Sequence, residues 1–279
     1  MKSFHLRLIS AVAAIIIIGL LYYFLGAFAF KVLVATAVVL GSFEVSHLLF
    51  QSDKHSTLRY LFHLLTFALA YISYEYFFLS GNFLALAFLL YTCFAILLSK
   101  RFEKIDELKH WILSGIAGLF YVGFLPVFVG KLLDLPMGMY WFLALLIVVF
   151  AGDIGAYLFG VAFGKKKIFP SLSPKKSWMG SIGGLLFSGL AAIVISKFLF
   201  HFNNQFTVAF LALSLVSAIF AQLGDFFESL LKRVADVKDS GKIMPGHGGI
   251  LDRIDGVLFA GPIFYLGAVI LQHFLISVH

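Results

Sequence analysis

Long stretches of this chain carry almost no charged side chain, and the polar residues gather in short clusters between them. A helix that crosses a bilayer needs about 20 mostly apolar residues. Nine runs have that character: Leu8–Phe28, Phe30–Phe50, Leu58–Phe78, Phe83–Leu98, Trp111–Leu132, Met139–Phe163, Ile182–Phe200, Thr207–Leu231 and Ile250–Ile276. No succession of segments alternates with period two, which argues against a β-barrel. The pattern predicts an all-α, polytopic membrane protein of about nine transmembrane helices. Residues 1–135 form an N-terminal set of membrane helices, and 136–279 a C-terminal region whose helices are joined by polar loops. The first run is too long for the apolar core of a signal peptide and no small-residue cleavage site follows it. It is expected to stay as a helix.

Composition supports the bilayer as the solvent. Apolar residues make up 61% of the 279 and charged residues 13%, against roughly half and a quarter in a soluble domain. The mean hydropathy is +1.00. Cys93 is the single cysteine, so no internal disulfide forms. The formal net charge of +7 is placed unevenly. Lys54 and Arg59 follow the second run; Lys100, Arg101, Lys104 and Lys109 the fourth; Lys165, Lys166, Lys167, Lys175 and Lys176 the sixth; Lys232, Arg233, Lys238 and Lys242 the eighth. Lys131 and Lys197 stand nearly alone on the other side. The positive-inside rule puts the basic loops and the N-terminus in the cytoplasm and the C-terminus outside. Part of that charge needs no more than topology and attraction to anionic lipid. It does not explain why two basic loops also carry glycine, proline and aspartate.

Four stretches carry candidate chemistry. In "VVFAGDIGAYLFGVAFG", Asp153 lies about ten residues from the basic end of its helix, roughly 15 Å deep. A charge at that depth is costly and needs a partner, a lysine or a wet cavity. Gly152, Gly155, Gly160 and Gly164 thin the helix around it and permit close packing. In "SPKKSWMGSIGG", Ser173 precedes Pro174, and Ser177 and Gly180 offer hydroxyl and backbone donors to an anion, or a plain helix cap. Lys175 and Lys176 supply point charges suited to phosphate. In "QLGDFFESLLKR", helical spacing puts Gln222, Asp225, Glu228, Ser229 and Lys232 on one face, with Glu228 and Lys232 placed for an ordinary i,i+4 ion pair.

The fourth stretch is "SGKIMPGHGGILDRIDG". Asp252 and Asp255 sit three apart on one helical face, and two carboxylates so close repel unless a cation lies between them. Hard oxygen ligands favour Mg²⁺ held by one or two carboxylates together with substrate phosphates. Glycines such as Gly248 and Gly249 let backbone amides approach an anion, and Lys242, His247 and Arg253 complement phosphate charge. Acidic and basic groups interleaved at one membrane mouth fit a metal–phosphate site.

At these residues the chain resembles the phosphatidate cytidylyltransferases, the integral membrane CDP-diacylglycerol synthases. The resemblance rests on "SLLKRVADVKDSGKIMPGHGGILDRID", Ser229 to Asp255, on "SPKKSWMGSIGG" and on "GDIGAYLFGVAFGKKK". It covers the chain from about Gly152 onward, with Met179 standing where the family usually has a glutamate or another polar residue. The resemblance implies transfer of CMP from CTP to phosphatidate, giving CDP-diacylglycerol and pyrophosphate, in a homodimer of a bacterial cytoplasmic membrane with the site facing the cytoplasm. Asp225, Asp252 and Asp255 are then the metal ligands, with Lys175, Lys176 and Arg253 neutralising phosphate charge. Ser173, Ser177, Gly180, Lys232, Arg233, Lys242, His247, Gly248, Gly249, Asp153 and Glu228 are candidates for substrate contacts. Charge balance at such a site calls for Mg²⁺ and a second cation, K⁺ being one candidate. Nucleic acid is not expected among the partners. The competing readings are a prenyl-phosphate sugar-phosphate transferase, also polytopic and acidic, and a cation transporter using buried aspartates as a relay.

Overall fold

The computed structural model describes residues 19–50, 55–241, 243 and 248–277. The helices are α1 (Phe28–Leu49), α2 (Ser56–Glu75), α3 (Ser80–Leu97), α4 (Ile105–Gly118), α5 (Leu125–Leu132), α6 (Gly138–Phe163), α7 (Trp178–Phe198), α8 (Asn204–Val234) and α9 (Leu251–Ser277). No β-strand occurs among the described residues. Lys167 and Ser177 form an isolated antiparallel bridge in the loop between α6 and α7.

Seven helices among the described residues are long and apolar enough to cross a membrane: Phe28–Leu49, Phe77–Leu97, Ile105–Leu132, Gly138–Phe163, Trp178–Phe198, Asn204–Val234 and Leu251–Phe274. The all-helical, polytopic expectation therefore holds, and the described residues do not confirm the count of nine. Two runs make the difference. Most of Leu8–Phe28 lies outside the described residues. The third run is the 20-residue helix α2, long enough to cross but punctuated by Thr57, Arg59, His63, Thr66 and Ser73. His63, Thr66 and Ser73 are buried against other protein groups.

The chain divides into two compact units. One comprises the described residues up to Gly130 together with Leu231–Arg253; the other comprises Lys131–Leu230 and the described residues from Ile254 on. Where the sequence suggested one cut between 135 and 136, the chain leaves the first unit after Gly130 and returns to it for 231–253.

In the first unit the core is aromatic. Phe50 stacks on Trp111 at 4.4 Å and meets Phe62 edge-on at 5.4 Å, offset and T-shaped arrangements that ring quadrupoles favour. Gly118 lets α4 lie against Phe62, where a Cβ would stand 2.7 Å from the ring. Between α4 and α5 the backbone opens into a π-helical turn, Leu119–Phe124. Pro126 explains its position: proline has no N–H to give the carbonyl four residues back, and its ring crowds that carbonyl.

In the second unit α6 and α7 pack through glycine. A Cβ on Gly152 would lie 2.6 Å from the Ser188 hydroxyl, and one on Gly155 would lie 2.6 Å from Phe187 Cβ. On α7, Gly183 faces the Gly155 carbonyl and Gly184 the Gly152 carbonyl. Close approach of backbones at small residues drives helix association where lipid removes the hydrophobic incentive. Ser188 Oγ donates to the Val148 carbonyl at 2.8 Å across the same contact. Trp141 packs in the same unit with Phe200 at 4.5 Å, and Phe200 stacks on Phe202 at 4.8 Å.

Candidate active site

Two clusters of charged residues stand out, one in each unit. The first lies in the second unit, on α8, α9 and the loop before α7. Gly224 on α8 faces the Asp255 carbonyl, and a Cβ there would sit 2.9 Å from Phe259 Cβ. Gly256 on α9 faces α8 in return, and a Cβ there would sit 3.3 Å from the Ala221 carbonyl oxygen. These two glycines bring the helices close enough for their acidic side chains to meet. One carboxylate oxygen from each of Asp225, Glu228 and Asp255 lies within 4.8 Å of the others. Glu228 is buried, while Asp225 and Asp255 are partly exposed. Lys176 Nζ stands 2.7 Å from Asp225 Oδ1, donates to Ser229 Oγ at 3.4 Å and lies 4.1 Å over the Phe226 ring.

Local sequence sets Lys176 in place. Ser177 follows it in extended conformation as the N-cap of α7, its hydroxyl accepting from Gly180 N at 3.2 Å. Such a cap satisfies one of the free amides of a helix start. Of the two roles open to Ser177 and Gly180, the described contacts are those of a helix cap. The Ser181 hydroxyl donates to Gln222 Oε1, and Gln222 Nε2 donates back to the Ser181 carbonyl at 3.1 Å. That reciprocal pair ties the start of α7 to α8.

The second cluster lies in the first unit, around Asp252. Asp252 Oδ1 accepts from Lys232 Nζ at 2.6 Å. Its Oδ2 accepts from Ser240 N at 3.0 Å, Ser240 Oγ at 3.0 Å and Gly249 N at 2.9 Å. The bond to Gly249 N, three residues back, has the form of a capping box. Gly248 has φ +85, and a Cβ there would meet Asp252 Oδ2 at 2.5 Å; a side chain is excluded on both counts. Next to Asp252 lies Glu44 of α1, which no local motif announced. Its Oε1 accepts from Ile250 N at 2.9 Å, and its Oε2 from Leu251 N at 2.9 Å and Ser240 Oγ at 3.1 Å. The single Ser240 hydroxyl proton serves one of the two carboxylates at a time.

The three aspartates expected to act together are thus distributed. Asp225 and Asp255 are joined by Glu228, and Asp252 has protein donors on both of its oxygens. Of the glycine amides expected to meet a substrate anion, that of Gly249 is engaged: it points to Asp252, and the two amides that follow, of Ile250 and Leu251, point to Glu44. Lys175, Arg233, Arg253 and Asp153 are exposed. Ser173 sits in the turn before Lys176, its N–H donating to the Phe169 carbonyl at 2.9 Å. Lys242 and His247 lie outside the described residues. Glu44 was legible in principle: a glutamate inside an apolar run, between Ser42 and Ser46, raises the same question of an expensive charge that singled out Asp153.

Apolar helices long enough to cross a membrane, among them two that carry clustered carboxylates, define the class as polytopic α-helical membrane proteins. Comparison with known sequences narrows this class. The pattern of the Cytidylyltransferase family matches residues 5–271, and the chain belongs to that family. It is similar to the phosphatidate cytidylyltransferase of Haemophilus influenzae, 44% identical over 133 residues, 46% of this chain and 45% of that protein. It is also similar to the phosphatidate cytidylyltransferases of Brucella suis, 39% identical over 191 residues (68% of this chain, 67% of that one), and Staphylococcus haemolyticus, 39% identical over 180 residues (64% and 65%). The matched stretch therefore spans about half of the Haemophilus protein and about two thirds of the other two.

Proposed function

We propose that this chain is a phosphatidate cytidylyltransferase, transferring CMP from CTP to phosphatidate and releasing pyrophosphate. The observation that carries the reading is the Asp225–Glu228–Asp255 carboxylate group with Lys176 beside it, in a chain of the cytidylyltransferase family. The donor set fits Mg²⁺: three carboxylates can each turn an oxygen toward a common point, and Mg²⁺ prefers such hard ligands while keeping coordination places for water and phosphate. Asp225, Glu228 and Asp255 would hold the ion, which when bound neutralises triphosphate charge and favours departure of pyrophosphate.

In the reaction a phosphatidate phosphate oxygen forms a bond to the α-phosphorus of CTP, and the bond from that phosphorus to the α,β-bridging oxygen breaks. The nucleophile is already ionised near neutral pH, so no general base is required of His247 or any other group. Catalysis then consists of positioning and charge neutralisation. Lys176 brings an ammonium to the carboxylate group and offsets charge on the incoming phosphates. Ser229, within reach of Lys176, keeps that ammonium oriented. Asp252, with Lys232, holds Ser240 and Gly249 at the start of α9. The same reading includes a second cation, K⁺ among the candidates, and a homodimer. It counts α2 and the N-terminal run as crossings, for nine in all, in a bacterial cytoplasmic membrane with the reacting end in the cytoplasm.

The test is turnover by the purified chain in detergent with α-labelled CTP, phosphatidate and Mg²⁺, in potassium, sodium and a bulky organic cation at constant ionic strength. Label is expected to appear in a lipid product that matches CDP-diacylglycerol, only with Mg²⁺ present. No lipid product, or equal product from UDP-sugar and a prenyl phosphate, removes the assignment. Equal rates in the three salts remove the monovalent cation.

A further inference from the structure

We propose that Glu44 is a positioning residue for the proposed reaction, clamping Ser240 to the 249–251 segment and fixing the start of α9. An acidic side chain within a membrane-spanning helix is costly and persists where it finds partners. Glu44 lies in the candidate span Phe28–Leu49 and is 3% exposed. The partners recorded for it come from one distant stretch: Ser240 Oγ, Ile250 N and Leu251 N, at sequence separations of 196, 206 and 207.

The surrounding glycines fit this carboxylate. A Cβ on Gly241 would lie 2.8 Å from Glu44 Cδ, and one on Gly249 would run into both Glu44 oxygens and Ser240 Oγ. Two glycines of the "SGKIMPGHGGILDRIDG" stretch therefore leave room for a carboxylate of the protein itself. The amides from Gly249 on lie at a helix start, where N–H groups have no intrahelical partner. Asp252 takes that of Gly249, and Glu44 takes those of Ile250 and Leu251. These three amides are thus turned to the protein's own carboxylates rather than to an anionic substrate, and their contribution is to the register of α9. Asp255 follows Leu251 by one turn in that helix, so a frayed first turn misplaces a carboxylate of the metal group.

The inference rests on the proposed function for its effect on rate, but the clamp itself can be measured without turnover. Glu44→Gln keeps the shape and replaces one acceptor oxygen by an NH₂. Whichever way the amide turns, one of the two backbone N–H groups then faces another donor. Hydrogen exchange is followed by mass spectrometry on the full chain in detergent. Exchange over 240–251 is expected to rise about tenfold or more, the worth of one hydrogen bond to a charged acceptor, with the other helices unchanged. kcat is expected to fall by about tenfold or more while KM for CTP stays within about threefold, since no substrate contact is removed. Gly249→Ala, which crowds the carboxylate and leaves Glu44 intact, should reproduce both effects.

Wild-type exchange over 240–251 in Glu44→Gln overturns the proposal. A loosened loop with unchanged kcat also overturns it, as does exchange raised equally in every helix of both variants. If the wild type itself makes no CDP-diacylglycerol, the functional reading falls, while the exchange data still decide whether Glu44 holds the loop.

Discussion

At Lys176 an ammonium meets Asp225 at 2.7 Å, a serine hydroxyl at 3.4 Å and the face of Phe226 at 4.1 Å. The lysine side chain is 22% exposed and the aspartate 44%, so solvent screens the pair and its share of folding stability is small, about 0–1 kcal/mol. Its electrostatic value to a triphosphate is larger. Lys176→Met should lower kcat/KM by about 100-fold, the scale seen when one preorganised charge-stabilising group is removed, with the thermal midpoint in detergent nearly unchanged. Loss of midpoint in step with activity would make Lys176 a structural residue. The sequence exposed Asp225, Asp255 and Lys176 because each sits in a polar cluster at the end of an apolar run. Their grouping with Glu228 was less visible. From one helix alone, Glu228 looks like half of an i,i+4 pair with Lys232, and only the approach of α9 at Gly224 and Gly256 adds Asp255 to the same group.

Among the elements, α6 and α7 offer the sharpest contrast between neighbouring glycines. A Cβ on Gly155 would press on the Gly183 carbonyl and on Phe187, whereas one on Gly160 would find its nearest atoms at 3.7 and 3.8 Å. Overpacking of this kind costs about 1–3 kcal/mol. Gly155→Ala is therefore expected to lower the thermal midpoint clearly and Gly160→Ala hardly at all; equal midpoints would show that the α6–α7 contact yields without cost. Most helices were legible because twenty apolar residues in a row have few other uses. The harder cases have physical reasons. In α2, Thr66 Oγ1 donates to the Phe62 carbonyl at 2.7 Å, and His63 and Ser73 are likewise buried. Polar groups buried inside the protein dilute the apolar signal without exposing the helix to water. The π turn at Leu119–Phe124 left only Pro126 as a trace.

For the molecule as a whole, the lysine pattern predicts an orientation that labelling can check. In a Cys93→Ser background, His279→Cys should react with an impermeant thiol reagent on intact cells, and Lys104→Cys should not. The opposite result would put the proposed site on the side without CTP. A different consequence follows from the bonds that join Glu44 to the amides of Ile250 and Leu251, 206 and 207 residues further along. A ribosome makes the chain from the N-terminus at about 5–20 residues per second, so Glu44 enters the membrane some tens of seconds before its partners exist. Until then it is a carboxylate in an apolar helix with its final donors still unmade. Contacts of such long sequence separation close late, after the loop entropy between them has been met. Closure of these bonds is thus a late event in biogenesis, and a chain cut short before Ile250 lacks the two backbone donors of a charge already placed in α1.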